Sequence, residues 1–299
     1  MSILVEKQHY VWRRYLKPWS VGGEGKQICT YFTNKDEMFI TSLMNVAQER
    51  FFYEICPLSN IELIAARGLI NKFPAFLKSY AEDLLLAYEV VSKERLSDAD
   101  RLEFSKNFFE KRFSKIELYG TNLLNCESLN DFISIPNLDQ TVYYLCAQYG
   151  RTKKIRQSGV QKFLERPFAG QLLDKLFPMI AILHAATLAH NLVVIFPTKY
   201  IFVKNISSIP FLTSDQPAIN LFGDDLDENG DVKSFELYYP TSPSTAIIIS
   251  LRPELEKYSE IQANEHMVQE LNSKICQNAL LYIFSNDRNN IDCYKRGKK

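Results

Sequence analysis

Residues 177–204, FPMIAILHAATLAHNLVVIFPTKYIFVK, hold the change of periodicity on which the fold turns. Over 177–191 apolar residues lie on every side, which predicts a helix buried all round. Its Pro178, His184, His190 and Asn191 suit a protein interior better than lipid, and the chain has no run of about 18 apolar residues for a membrane span. From 192 the signal changes. Residues 192–196 and 200–204 are β-branched and aromatic runs on either side of Pro197, which predicts strands.

On the N-terminal side of that switch, 60–180 reads as mostly helical. Helices are predicted over 61–73 behind an Asn60 cap, over 75–92, over 97–118 behind a Ser97 cap, and over 139–149, with 160–164 continuing the pattern. On the C-terminal side, strands are predicted at 211–212, 235–239 and 246–250, then a helix over 259–278 and a last strand at 280–285. The first residues, 3–34, read as extended. Residues 28–32 form a strand after the Gly22-Gly23-Glu24-Gly25 turn and are expected to make a hairpin with the opening segment. Residues 45–53, NVAQERFFY, are a short mixed element.

Strands at both ends with helices between them predict an α+β fold. Its mixed or antiparallel sheet is formed by the N-terminal hairpin and the C-terminal strands, with a large central helical region over 60–191. The last strands are expected to pair with the hairpin, because unpaired edges are costly. No repeat or linker divides the 299 residues, so a single domain over 1–299 is expected, with a frayed basic tail at 294–299.

Hydrophobic residues make up 46% of the chain, with 20 Phe and 16 Tyr, ample for a core. The 35 basic and 35 acidic residues cancel, so no global field draws the protein to nucleic acid or to a membrane. The cysteines at 29, 56, 126, 146, 276 and 293 are scattered, without a CxxC pair, which argues against a zinc site. With no signal-peptide h-region, they fit a reducing cytoplasm. P-loop, GxGxxG, GxSxG and HExxH motifs are absent, which lowers the standing of ATPases, dinucleotide-binding enzymes, α/β-hydrolases and zincins.

Three polar islands could carry chemistry. Residues 8–19, QHYVWRRYLKPW, place His9, Arg13 and both tryptophans together; His9 and Arg13 can share a face in either a strand or a helix. Residues 210–217, PFLTSDQP, end a strand in a Thr-Ser-Asp turn. Asp215 could act there as a base or metal ligand and Thr213 or Ser214 as a donor, or the turn could simply bond its own backbone. Residues 148–156, QYGRTKKIR, carry four cations within six positions. Arg151 could grip a phosphate, or the run could compensate a helix end. His184 and His190 read as core or helix-end residues and His266 as solvated. Residues 225–236, DLDENGDVKSFE, match the spacing of a calcium-binding EF-hand loop through Asp225, Asp227, Asn229, Gly230 and Glu236. Their flanks look extended, however, and Asn229-Gly230 signals a solvated hairpin loop.

The order of these islands resembles the bacterial family DUF4238, of unknown function. The resemblance runs from 8–19 through NVAQERFFY, Gln148-x-x-Arg151-Thr152, FLTSDQP at 211–217 and YPTSP at 239–243 to a late helix bearing Asn272. Where the family usually reads His-Tyr-Val-Pro, this chain has Trp12 in place of proline. The resemblance carries over no catalytic residue. It implies a cytoplasmic effector, since some members look like defence genes against phage, and it nominates His9, Arg13, Arg151, Thr213, Asp215 and Asn272.

The resulting expectation is an anti-phage effector, with nuclease chemistry on RNA or a nucleotide. His9 would be the acid/base, Arg13 and Arg151 would hold phosphate, and Asp215 would orient His9 or bind a metal, with no cofactor named by the sequence. The alternative is a non-enzymatic sensor of a phage component, in which Thr213, Ser214, Asn272 and the His–Arg–Asp set are a buried structural network.

Overall fold

In the computed structural model, which describes residues 4–93, 96–228 and 232–294, a short strand Lys7–His9 (β1) leads into a helical turn, Arg13–Leu16 (α1). Gln27–Phe32 (β2) and Glu37–Ser42 (β3) form the N-terminal hairpin, and Gln48–Arg50 (β4) pairs antiparallel with β1. The partner of β2 is therefore β3, not the opening segment. Tyr15, Leu16 and Trp19 lie at helical spacing and are fully buried, which bends the chain inward after His9 and ends its extended course.

Among the described residues seven α-helices follow: Asn60–Ile70 (α2), Lys78–Ser92 (α3), Asp98–Tyr119 (α4), Leu129–Ile133 (α5), Leu138–Gly150 (α6), Lys153–Gln161 (α7) and Pro167–His190 (α8). The cap of α2 is Ser59 rather than Asn60. Ser59 and Glu62 form a reciprocal capping box, which fixes the start one residue earlier. Ser97 caps α4 as expected, its hydroxyl accepting the Asp100 N–H.

Helix α8 is the buried helix of the central segment, with Leu176, Met179, Ile182 and Leu183 fully enclosed. It overruns its expected end. Residues 192–196 are not a strand: Asn191–Ile195 continue α8 as a π-turn closed by Phe196 N–H to Asn191 O at 2.8 Å. No breaker lies between Asn191 and Pro197, so the helix continues through its β-branched residues, and Val194 and Ile195 are left exposed. Pro167–Ile195 is thus long and apolar enough to cross a membrane by length and composition, although its inner face packs in the core.

The remaining strands are Lys199–Asn205 (β5), Thr213–Ser214 (β6), Ile219–Asn220 (β7), Glu236–Pro240 (β8), Thr245–Ser250 (β9), Tyr258–Ala263 (β10) and Tyr282–Ser285 (β11). Glu265–Asn278 (α9) precedes β11, and Asn289–Asp292 (α10) follows it. The expected helix over 259–278 is split. Asn264 caps α9 through the Met267 N–H, and the residues before that cap alternate as β10. Only the parallel neighbour β5 reveals β10 as a strand.

Two main sheets result. The five-stranded sheet has the order β10-β5-β9-β8-β7 and is antiparallel except for the β10–β5 pair. Its strands alternate between two cores. Tyr200, Phe202, Leu237, Tyr239, Ile247 and Ile249 face the helices, while Ile201, Val203, Tyr238, Ala246 and Ile248 pack with Val268, Leu271 and Ile275 of α9. The second sheet, β3-β2-β11-β6, is antiparallel and joins the N-terminal hairpin to the last strand, as expected. The 295–299 part of the basic tail lies outside the described residues.

Gly120 follows the end of α4 where a Cβ would stand 2.5 Å from the Tyr144 ring, itself buried and hydrogen-bonded to Tyr239 at 2.6 Å. Gly120→Ala should cost about 1–3 kcal/mol from overpacking and lower Tm in thermal denaturation. Gly68→Ala, in open space on α2, should cause no loss.

Candidate functional site

The islands meet where the two sheets adjoin. Tyr15 from α1 hydrogen-bonds Thr213 on β6 at 2.6 Å, and the Trp19 indole donates to Phe211 O at 2.7 Å. Asn272 on α9 accepts from Leu212 N–H at 2.8 Å and donates to Pro210 O at 2.9 Å. Ser214 folds back on Gln216, accepting its N–H at 3.1 Å and donating to its carbonyl at 3.0 Å. The YPTSP turn between β8 and β9 adds a fixed point, with Pro243 O accepting from Phe211 N–H at 2.9 Å.

Asp215 is the centre of this junction. Its two carboxylate oxygens accept the backbone N–H groups of Leu280 and Leu281 at 2.9 and 2.8 Å, and its own N–H donates to Tyr282 O at 3.0 Å. Burial raises its pKa to about 6 while those amides hold it down. Among the described residues no hydrogen bond joins Asp215 to His9, so the expected orientation of His9 by Asp215 is not built; each carboxylate oxygen instead accepts one backbone amide.

His9 lies elsewhere, at the end of β1. Burial first, then the charges of Arg13, Arg151 and Lys7, lower its pKa to about 4 against the Leu43 backbone. The ring is neutral at neutral pH, and its Nε2 is buried without a partner among the described residues. Arg13 is exposed and reaches the sulfur of Met44 rather than a shared pocket with His9. Trp12 keeps φ at −60°, the value a proline ring imposes, so the backbone path survives the substitution; its ring lies edge-on to Tyr144.

The basic island is committed to protein partners. Lys153 pairs with Glu49 at 2.8 Å, Lys154 donates to Asn278 at 2.7 Å, and Arg156 pairs with Asp174 at 2.7 Å and donates to Phe52 O at 3.0 Å. Thr152 caps α7 and donates to Gln216, whose amide also reaches Tyr149 O and Ala218 O, so the second and third islands are joined. Arg151, Thr213, Ser214 and Asn272 are 0% exposed and Asp215 is 1% exposed, which closes these positions to a substrate in this conformation.

A second set of residues gathers around Phe113 on α4. Arg151 Nη2 pairs with Glu117 at 2.6 Å, and Gln148, with its oxygen turned to the guanidinium, accepts from Nε and Nη2 at 3.2 and 3.0 Å. Burial opposes the charge on Arg151, but Tyr53, Glu117 and Tyr144 raise its pKa, so it stays cationic. The Tyr53 ring lies 4.3 Å from that of Phe113, and the Arg151 guanidinium carbon lies 5.5 Å from the same ring. Tyr53 Oη and Arg151 Nη1 are buried and without a partner among the described residues. One turn before Phe113, half-buried Glu110 has its carboxyl raised to about 7, first by burial, then by Glu117, and against Arg151. Glu110 also lines a cleft of about 870 Å³ along α4.

The sequence reading missed Gln8, Tyr15, Tyr53, Glu110, Glu117 and Gln216. Gln8 is fully buried and bridges three segments, donating to Lys106 O at 2.6 Å and accepting from Tyr53 N–H at 2.7 Å. A signal existed for the two glutamates. Glu103, Glu110 and Glu117 recur every seven residues on a helix whose inner face carries Phe109, Phe113 and Ile116, which puts carboxylates on its buried edge.

The acidic loop is a hairpin between β7 and β8, with Leu226 bridged to Val232; Asn229 and Gly230 lie outside the described residues. Glu236 at its end is turned to Arg252 at 2.9 Å. Among the described residues no three His, Cys, Asp or Glu side chains are grouped to hold a metal ion.

An α+β chain whose sequence islands close into one buried polar junction is thus defined. It belongs to DUF4238, a family of proteins of unknown function whose model matches residues 7–289. No curated protein and no solved structure matches the chain.

Two stability predictions follow from these contacts. Asn272→Ala strands a buried N–H and a buried C=O and should cost about 2–5 kcal/mol in denaturant unfolding. A carboxyl whose pKa is higher folded than unfolded favours the native state most at low pH, and that advantage fades as pH rises from 4.5 to about 7. Glu110→Gln should therefore flatten the fall in stability across this window and be more stable than wild type at pH 8, as read by urea titrations at several pH values.

Proposed function

We propose that this chain is a recognition protein of a bacterial defence system, in which the family's motif residues hold the fold rather than cut phosphodiester bonds. The observation that carries the reading is Asp215. Each of its oxygens accepts a backbone amide, from Leu280 and Leu281, and among the described residues no hydrogen bond joins it to His9. The commitment of Lys153, Lys154 and Arg156 to protein partners adds support, as does the pairing of Arg151 with Glu117, because each removes a phosphate grip. The defence setting rests on the family resemblance, and a cytoplasmic location goes with it. A phage component or a nucleotide remains the natural class of ligand for such a protein.

The test compares phage plaquing and nucleic-acid integrity in cells carrying wild type or His9→Gln, with Tm measured on both purified proteins. Wild type should restrict phage while cellular RNA and DNA stay intact, and His9→Gln should protect as well as wild type at unchanged Tm. Cleaved RNA or DNA in wild-type cells, abolished by His9→Gln without loss of Tm, would overturn the reading.

A further inference from the structure

We infer that the end of α8 is a membrane-contact surface: the π-turn Asn191–Ile195 and Phe196 enter the surface of an anionic bilayer, and the cleft beside them takes a lipid phosphate. This goes beyond the recognition reading and does not depend on it.

The apolar half of the surface is a run that a water-facing helix end does not call for. Val193, Val194, Ile195 and Phe196 are consecutive, and each is between 40 and 63% exposed. Proteins rarely leave such a run in water without a use for it. The surface extends to Phe76, which is 52% exposed and packs its ring on His190 at 4.1 Å; Val194 lies one turn beyond His190.

The polar half adjoins it. Val193 and Phe196 also line a cleft of about 390 Å³, so the apolar run and the cleft share an edge. Tyr200 and Tyr258 line the same cleft, with their rings stacked 5.7 Å apart. The charged side chains of the lining are Lys199, Lys257 and Asp139. Among the described residues neither lysine has a carboxylate partner, and Lys257 lies 5.3 Å from the Tyr258 ring. Asp139 sits in the first turn of α6, where the helix dipole already favours a carboxylate. Glu256, next in sequence to Lys257, does not line the cleft. Leu138 and Asp139 open α6, and Asn137 gives that helix no side-chain cap, so an anion there would meet uncapped amides. Thr198 also lines the cleft; it is 6% exposed, and its hydroxyl has no partner among the described residues.

The two halves together select a bilayer over a soluble anion. A free phosphate ester would use the lysines and Thr198 but leave Val194 and Ile195 in water. A lipid surface uses both halves at once, with the phosphate at headgroup depth, the apolar side chains just below it and the tyrosines at the boundary. Two unpaired lysines favour anionic lipid locally, although the chain as a whole carries no net charge.

Co-sedimentation of the purified full chain with vesicles of equal parts phosphatidylglycerol and phosphatidylcholine tests the surface, with phosphatidylcholine vesicles and soluble glycerol phosphate as comparison arms. The chain should bind the mixed vesicles, bind phosphatidylcholine weakly, and be released by salt. Val194→Glu with Ile195→Glu should weaken binding by roughly tenfold or more, from the lost burial of two branched side chains, while Val194→Leu with Ile195→Leu should retain it. Lys199→Ala with Lys257→Ala should also weaken it by roughly tenfold or more. Thermal melts of each variant separate lost contact from lost fold, and the comparison of the two vesicle types needs wild type alone. No binding of wild type to the mixed vesicles would overturn the inference, as would equal binding to phosphatidylcholine or full binding by the folded glutamate variant. Glycerol phosphate bound by a chain that ignores vesicles would make the cleft a soluble-anion site. A dimer dispersed by Val194→Glu with Ile195→Glu, without vesicle binding, would make the run an interface between copies. Either result also overturns the inference.

Discussion

The carboxylate of Asp215 holds together two pieces of chain that backbone pairing alone secures poorly. Strand β6 has only two residues, and its pairing with β11 is limited to Ser214 with Ile283 and Thr213 with Phe284. By accepting the Leu280 and Leu281 amides, Asp215 fixes the turn that leads from α9 into β11. Neighbouring side chains then tie this short segment outward. Tyr15 and Trp19 bind it to the N-terminal turn, Asn272 to α9, and Gln216 to the α6–α7 junction. A segment with so little regular structure needs side chains to satisfy its buried backbone groups, and the polar residues of 210–217 meet that need.

The α+β class was legible because the apolar pattern changes period near residue 191, and because runs such as 246–250 are β-branched and short. Boundaries failed where tertiary partners decide. Residues 192–196 have strand composition, yet they prolong α8 because nothing stops the helix before Pro197. Tyr258–Ala263 reads equally as helix until β5 is beside it. At the candidate site, Thr213, Ser214, Asp215 and Arg151 stood out as members of polar islands and Asn272 through the family resemblance, with an open cleft as the leading expectation and a buried network as the alternative; the structure buries all five. The sequence did not foretell which partner each would meet. Asp215 meets backbone amides 65 and 66 positions away, and no local pattern encodes that pairing.

Arginine and carboxylate use follows the same logic. Arg151 is fully buried with Glu117, Gln148 and the Phe113 face around it, and such a pair confers geometry more than net stability. Beside that pair, Arg151 Nη1 and Tyr53 Oη are buried without a partner among the described residues. The interior therefore contains one junction that is nearly complete in its hydrogen bonds and one that is not.

Amide hydrogen exchange at Leu280 and Leu281, measured in wild type and in Asp215→Ala, tests the clamp most directly. If Asp215 holds the two segments together, both amides exchange in wild type only through global unfolding. In Asp215→Ala they should exchange faster than the rest of the second sheet. Rapid exchange of these amides in wild type, or protection unchanged by the substitution, would contradict a structural role for Asp215 and return its carboxylate to the list of candidates for chemistry.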